Sequence, residues 1–348
     1  MTKVALGLSG GVDSAVAAAL LQEEGYQPIG VFLRMHGVGK EEDAARKAAE
    51  ELGIPFYLKD MTARFEEQVM RPFAAYYKRG ETPNPCLLCN PAVKFRGLLE
   101  AADALGCEKI ATGHYAAVEP FGNLHLIKRI PGQAKDQSYM LYGLDEACRA
   151  RLLLPLGSER GKEAVRAKAA ELGLSSAAKK DSLDICFLEE GCSHADFIEQ
   201  YTGSPPKAGE IYRTDGVLLG AHKGICNYTV GQRRGLGVSA EQRLYVTALD
   251  PATDRVYLGT KEETEQTVVY LRDIVLHIPL PQEGLTAKVR ARDRDTSARL
   301  TLTQEGGFLT FLQPKNAAAP GQSAVFYWED TVIGGGVIVS NNKKVEKI

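Results

Sequence analysis

The chain has 348 residues, 42 Lys/Arg against 44 Asp/Glu for a formal charge of −2, with 44% hydrophobic and 25% charged residues. That length allows two or three domains with their own cores, the composition is that of a soluble globular protein, and no apolar run approaches the ~18 residues of a membrane helix. The near-neutral charge argues against bulk nucleic-acid binding. Met1-Thr2-Lys3-Val4 enters a strand at once, leaving no room for a signal peptide, and seven cysteines without small secreted-domain spacing point to a reducing compartment, the cytoplasm.

In chain order, short apolar strands are predicted at Val4–Leu8, Pro28–Leu33, Pro55–Leu58 and Lys109–Thr112. Helices are predicted between them at Ser14–Glu24, Asp43–Leu52, Phe65–Lys78 and Lys94–Leu105, with Gly25, Gly53 and Gly106 as left-handed caps. This alternation predicts a doubly wound parallel α/β sheet, whose ligands bind beyond the C-terminal strand ends. Helices are also expected at Gln137–Arg151, Lys162–Leu172 and Ser193–Tyr201, before the turn-rich Gly203-Ser204-Pro205-Pro206. Short strands then alternate at Gly209–Tyr212, Val217–Leu219, Leu244–Asp250 and Val256–Leu258. A last all-β set, from about Val268 to Val339, reads as a small barrel. The expected organisation is 1–203, 204–263 for a small central β-rich domain, and 264–348 for the barrel.

The first strand runs into Ser9-Gly10-Gly11-Val12-Asp13-Ser14, a glycine turn that opens a helix. Glycines let backbone amides approach an anion, and the helix N-terminus favours negative charge there. The Gly-Lys-Ser/Thr ending of a kinase-type loop is absent. The segment resembles instead the pyrophosphatase loop of enzymes that split ATP into AMP and pyrophosphate, in which Asp13 would help hold Mg2+ while Ser9, Ser14 and the amides hold pyrophosphate.

Thr82-Pro83-Asn84-Pro85-Cys86-Leu87-Leu88-Cys89-Asn90 is expected to be a rigid proline-fixed loop presenting Cys86 and Cys89 together. A lone Cys-x-x-Cys is open to redox, zinc or iron–sulfur readings, and the remaining cysteines supply no second close pair for structural zinc. Cys186 lies near Lys179 and Lys180, which would lower its pKa if they faced it. Cys107, Cys148, Cys192 and Cys226 read as small packing residues, and His36, His114, His194 and His222 as structural or surface groups, with His114 alone near the nucleotide. Charge is uneven: Lys128–Lys180 holds eleven Lys/Arg against six Asp/Glu, and Lys288–Arg299 five against two. Such surfaces read equally as phosphate contacts or as solvated faces.

Taken together, Ser9–Ser14, Thr82–Pro85 with Cys89-Asn90, Ala111–Tyr115, Lys135–Tyr139, Lys180–Ser182 with Ile185–Phe187, Tyr228–Gly237 and Pro320–Tyr327 resemble the MnmA family of tRNA-specific 2-thiouridylases, over nearly the whole chain and in the family's order. The resemblance implies an adenine nucleotide α-hydrolase-like sheet domain, a helical tRNA-binding extension in which basic helices around Arg149–Arg166 track phosphates, and an RNA-facing barrel. It implies adenylation of the C2 oxygen of a wobble uridine and its replacement by sulfur. Cys186 would carry a persulfide and Cys89 would be the partner thiol. Gly7, Leu8, Ser9, Gly10, Gly11, Val12, Asp13, Ser14, Leu33 and Gly113 would bind ATP; Asn84, Pro85, Cys86, Lys135, Asp136, Gln137 and Arg290 would contact the target base and tRNA. The implied partners are a tRNA anticodon stem-loop and an upstream protein carrying a persulfide, with the chain itself a monomer.

Two residues depart from the family pattern. Cys86 stands where the family has Asp, so it would be a thiol base, a structural residue, or, with Cys89 and Cys186, a ligand of a [4Fe–4S] cluster with one iron open to sulfide. Ala291 stands where the family places Tyr after the first Arg, which weakens base stacking beside Arg290. The segment Met35–Glu42 is also shorter than usual. Competing readings are another ligase with the same ATP loop, a sulfur transferase acting on a different nucleoside, and an RNA-binding protein with a vestigial ATP site.

Overall fold

The computed structural model describes residues 1–37, 40–158, 161–179, 185–189 and 191–340. Its contacts divide the chain into two units, Met1–Val69 with Cys86–Leu183 and Asp330–Ile333, and Met70–Pro85 with Asp184–Glu329 and Gly334–Ile348.

The first unit is built on β1 (Lys3–Gly7), α1 (Val12–Glu23), β2 (Gln27–Arg34), α2 (Lys40–Leu52), β3 (Phe56–Asp60), α3 (Phe95–Leu105) and β4 (Lys109–Ala111). With a two-residue edge strand, Leu152–Leu153, the sheet order is β3, β2, β1, β4 and that edge strand, all parallel. The chain winds outward from β1 through β2 and β3, then crosses back to β4 on the other side of β1. That reversal opens a crevice at the C-terminal end of β1, where the sequence places its glycine turn.

Alanine-rich α1 is suited to this place by high helix propensity and small side chains that allow close packing. Val12, Ser14 and Ala15–Ala19 are buried, and Val16 and Leu21 are fully so, each contributing roughly 1.5–3 kcal/mol. The expected caps hold: Gly25, Gly53 and Gly106 have φ of 83°, 63° and 64°. The unit also contains a hairpin, Ala117–Phe121 with Leu124–Lys128, turned at Gly122 (φ 59°), which the sequence reading missed.

Three expectations need correction. Cys86 and Cys89 do not sit on a loop: Pro85–Cys89 is α-helical and leads through a π-helical turn, Asn90–Lys94, into α3. Pro85 fits the first helical position, which needs no N–H donor. Pro91 would remove a bond and clash with the carbonyl four residues back, and the wider π turn accommodates it. Phe65–Lys78 is likewise divided by a π turn, Glu66–Met70, just ahead of Pro72. Gln137–Arg151 is not one helix but a 3-10 turn at Ser138–Leu141 and a short helix at Glu146–Arg149, started by Asp145 capping the Cys148 amide at 2.9 Å.

In the second unit the helix His194–Thr202 starts with a capping box between Ser193 and Asp196 and stops at Gly203 (φ 65°). It is followed by a four-stranded sheet of Gly209–Arg213, Leu218–His222, Tyr245–Asp250 and Arg255–Gly259. Six further strands, Glu265–Leu276, Leu285–Lys288, Thr296–Thr303, Gly306–Asn316, Ser323–Trp328 and Thr331–Ile338, form the expected barrel. The first pairs with the last (Leu271 with Ile338, Leu276 with Gly334), so the sheet closes on itself. Met70–Pro85 belongs to this unit. Thr82 donates to the Pro320 carbonyl (2.7 Å) and accepts from Gln322 (2.7 Å), and its hydroxyl meets that of Thr229 (3.2 Å).

Candidate nucleotide site and thiols

The glycine turn is held open by its own serines. The Ser14 hydroxyl donates to the Gly11 carbonyl (3.0 Å), accepts from the Ser9 amide (3.2 Å) and lies 3.2 Å from the Ser9 hydroxyl. Gly10 has φ 71°, and a Cβ there would lie 2.7 Å from the Ala44 and Ala45 backbone. Gly113, just beyond β4, comes as close: a Cβ on it would sit 2.8 Å from the Asp13 carbonyl carbon and 2.9 Å from the Ser14 nitrogen. The two glycines therefore allow α2 and the end of β4 to press against the loop, so residues far apart in sequence share one small site. Leu33, half-buried near the end of β2, packs close to Gly97.

Asp13 lies in the first turn of α1, but its carboxylate is not vacant. The Lys162 ammonium spans it at 2.7 and 2.6 Å, and the Tyr115 hydroxyl donates at 2.6 Å. Tyr115 is in turn fixed at its backbone, its amide donating to the Gln137 side-chain oxygen at 3.0 Å and its carbonyl accepting from the Gln137 amide at 2.8 Å. Lys179 reaches the other side of the loop, 3.4 Å from the Gly10 carbonyl. The sequence reading missed Tyr115 and Lys162 as members of this site. Lys162 did carry a signal: it follows Gly161 as the first residue of a helix, where the helix dipole disfavours a cation.

His114 stacks on Phe95 with ring centroids 5.8 Å apart, and its Nδ1 lies 2.8 Å from the Thr112 hydroxyl. Burial, with Lys94 adding to it, lowers its pKa to about 3, so the ring is neutral at physiological pH.

The three thiols differ sharply. Cys89 is buried, its Sγ 3.7 Å from the Met35 sulfur just past β2, and desolvation pushes its pKa up to about 11 against the opposing pull of Lys94. Cys86, one turn earlier, is exposed. In the second unit Cys186 is exposed, while Phe187 beside it packs edge-on against Phe73 and Phe197 at 5.2 and 5.0 Å. The neighbour anchors the segment and leaves the thiol at the surface. Lys179 turns to Gly10 in the first unit, and Lys180 lies outside the described residues, as do Asp181–Asp184. Cys107, Cys148 and Cys226 are buried as expected, Cys192 only partly. Among the described residues no three His, Cys, Asp or Glu side chains gather closely enough to hold a metal ion. Cys86 and Cys89 belong to the first unit and Cys186 to the second.

Part of the basic run is paired within the first unit. Arg149 is 3% exposed and is spent on the His125 and Leu144 carbonyls and on Glu146. Arg151 pairs with Asp103 (2.6 Å), Lys168 with Glu23 (2.7 Å), and Arg166 donates to the Ala177 and Lys179 carbonyls. Each of these groups has a partner within the first unit. Of the expected RNA contacts, Asp136 accepts from Ser138 and Gln137 from Tyr115, whereas Lys135 is exposed. On the barrel Arg290 is exposed and reaches the Asn316 carbonyl at 3.4 Å, with Arg292, Arg294 and Arg299 also exposed.

Comparison with known proteins decides the family. Family models match along the chain: a tRNA methyl transferase HUP domain over residues 2–190, a tRNA methyl transferase PRC-barrel domain over 195–260 and an aminomethyltransferase beta-barrel domain over 266–338. A tRNA-specific 2-thiouridylase MnmA of Syntrophotalea carbinolica is 41% identical over 346 residues, 96% of this chain and 98% of that protein. The chain belongs to the MnmA family. The MnmA of Acidobacterium capsulatum is 42% identical over 371 residues, covering 97% of this chain and 98% of its own, and that of Acetivibrio thermocellus is 40% identical over 356 residues, covering 97% and 99%. Among the described residues no helix is long and apolar enough to cross a membrane.

Proposed function

We propose that this chain is a tRNA-uridine 2-sulfurtransferase that adenylates the C2 oxygen of the wobble uridine with ATP and then replaces that oxygen with sulfur. The carrying observation is the coincidence of full-length MnmA membership with an intact Ser9–Ser14 loop at the sheet's reversal point. The methyl transferase wording of two matching models describes a chemistry that needs neither a pyrophosphate loop nor paired thiols.

In this reading Gly7–Ser14 wrap the phosphates, with Leu33 and Gly113 beside the adenine. The uridine oxygen attacks the α-phosphorus, and pyrophosphate leaves with the electron pair of the bridging oxygen. Adenylation makes a poor leaving oxygen a good one. The terminal sulfur of a Cys186 persulfide then attacks C2 and AMP departs. Cys89, as thiolate, attacks the Cys186 Sγ, so the uridine keeps the outer sulfur and a Cys89–Cys186 disulfide forms for an external reductant to reopen. Exposure of Cys186 suits loading by a donor protein. The burial of Cys89 suits a thiol that acts second, after tRNA has changed its surroundings. Asp13 fits a Mg2+ role, since it offers one carboxylate whose charge a cation already balances and Mg2+ sites on nucleotides often use one protein carboxylate; bound there, the ion would neutralise phosphate charge.

Asn84, Pro85, Cys86, Lys135, Asp136, Gln137 and Arg290 are assigned to the target base and anticodon stem-loop, since sequence-specific RNA readers splay single bases out of loops. The three domains, the monomeric state and a cytoplasmic location complete the proposal.

The test is nucleoside mass spectrometry of unmodified tRNA incubated anaerobically with protein, ATP, magnesium and either sulfide or a persulfide donor. New 2-thiouridine is expected with persulfide; activity with sulfide alone, together with bound iron, would replace the persulfide route by a cluster. A methylated or differently thiolated nucleoside would overturn the substrate or the chemistry. Cys186→Ser should abolish thiolation and leave ATP-dependent activation of the tRNA, read as pyrophosphate release, largely intact.

A further inference from the structure

We propose that Lys162 is a phosphate ligand held in reserve: its ammonium rests on Asp13 while the loop is empty and transfers to the pyrophosphate part of ATP when the nucleotide enters. The inference rests on the ATP reading above and adds a residue that the reading did not assign.

The site carries more positive than negative character. Among the described residues, the N-terminal end of α1, the loop amides, the Lys162 ammonium and Lys179 near the Gly10 carbonyl surround one carboxylate, that of Asp13. Lys162 is also the first residue of its helix, Lys162–Glu171, which sets a cation against the positive end of that helix dipole. Glu163 beside it is exposed. A lysine so placed gains only from an anion, and a single carboxylate is small compensation for the groups around it. A triphosphate supplies several charges at the same point.

The lysine is also well positioned. Val165 and Ala169 of its helix are fully buried in the core formed with α1, so the helix is seated and holds the side chain, 12% exposed, against Asp13, itself a residue of the loop. When the nucleotide brings its own divalent cation to Asp13, the ammonium is displaced toward the nearest remaining anion, the β- and γ-phosphates. One group then serves two states. It prevents an uncompensated carboxylate in the empty loop, and it holds pyrophosphate charge once ATP is bound.

The test is equilibrium titration of the full chain with ATP plus magnesium, and separately with AMP, for the wild type, K162Q and K162R. Gln keeps a donor toward Asp13 and guards against simple loss of fold, which a thermal melt checks. K162Q should weaken ATP binding by about ten- to a hundredfold, the range for losing one hydrogen bond to a charged group. AMP, which lacks the pyrophosphate, should bind as before, and K162R should recover most of the ATP affinity. Unchanged ATP affinity in K162Q, or equal losses for ATP and AMP, would overturn the inference while leaving the ATP reading intact. A wild-type chain that binds no ATP would overturn both.

Discussion

The two family thiols on either side of the proposed reaction stand in opposite environments, and burial sets the difference. Cys186 is exposed because Phe187 takes the buried position beside it; Cys89 lies inside, with its neutral form favoured up to about pH 11. A thiol reacts as its thiolate. Mass-mapped alkylation at pH 8 should therefore modify Cys86 and Cys186 first and Cys89 slowly, and the Cys89 rate should rise about tenfold per pH unit until near 11. Equal rates at Cys86 and Cys89 would mean that the first turns of the Pro85–Cys89 helix open readily. The sequence revealed the Cys-x-x-Cys but could not rank its members, because residues three apart lie on nearly the same helix face and only the neighbours packed there decide which is covered.

At the scale of elements, the glycine loop depends on what leans against it. Gly113 is the contact between the end of β4 and the Asp13–Ser14 peptide, with no space for a methyl group. Gly113→Ala should weaken ATP binding at least about tenfold, through displacement of the loop, while costing about 1–3 kcal/mol of stability. Calorimetric titration beside a denaturation curve would separate the two, and an alanine variant with wild-type affinity would show that the loop yields. Strand–turn–helix order was legible here from Val4 to Leu21, because apolar run, glycines and alanine-rich helix each carry a local signal. The two π turns were not legible. A proline inside a helical pattern reads as a break, and only packing of the helices on both sides makes a widened turn the better solution.

At the scale of the molecule, the second unit draws Met70–Pro85 from the amino-terminal half of the chain and pins it with a buried carboxylate. Glu81, 3% exposed, lies between Arg79 (3.0 Å) and Arg272 (3.3 Å), and both guanidinium groups also sit over the Tyr76 ring at 4.8 and 5.3 Å. Glu81→Ala would leave two like charges beside each other, although their partial exposure lets water take up part of the loss. A cost of about 1–3 kcal/mol is expected in chemical denaturation of the intact chain. No change would mean that the arginines are stabilised by Tyr76 alone. This clamp fixes Thr82, two residues ahead of the proposed base contact Asn84, through Pro320 and Gln322. The loop's position is thus set by a turn between two barrel strands more than two hundred residues away.

The sequence by itself determined the class of the sheet, the place of the glycine loop, the barrel and the family, since these rest on local periodicity, turn chemistry and the order of motifs. Only the tertiary structure decided which charges are available. Eleven basic residues between Lys128 and Lys180 read equally as phosphate contacts or as a solvated face in one dimension. In three, Arg149, Arg151, Arg166 and Lys168 are committed to internal carbonyls and carboxylates, and Lys162 to Asp13. Charge is counted along a chain, but its partners are assigned by packing, which sets Lys162 on an Asp13 that lies 149 residues away.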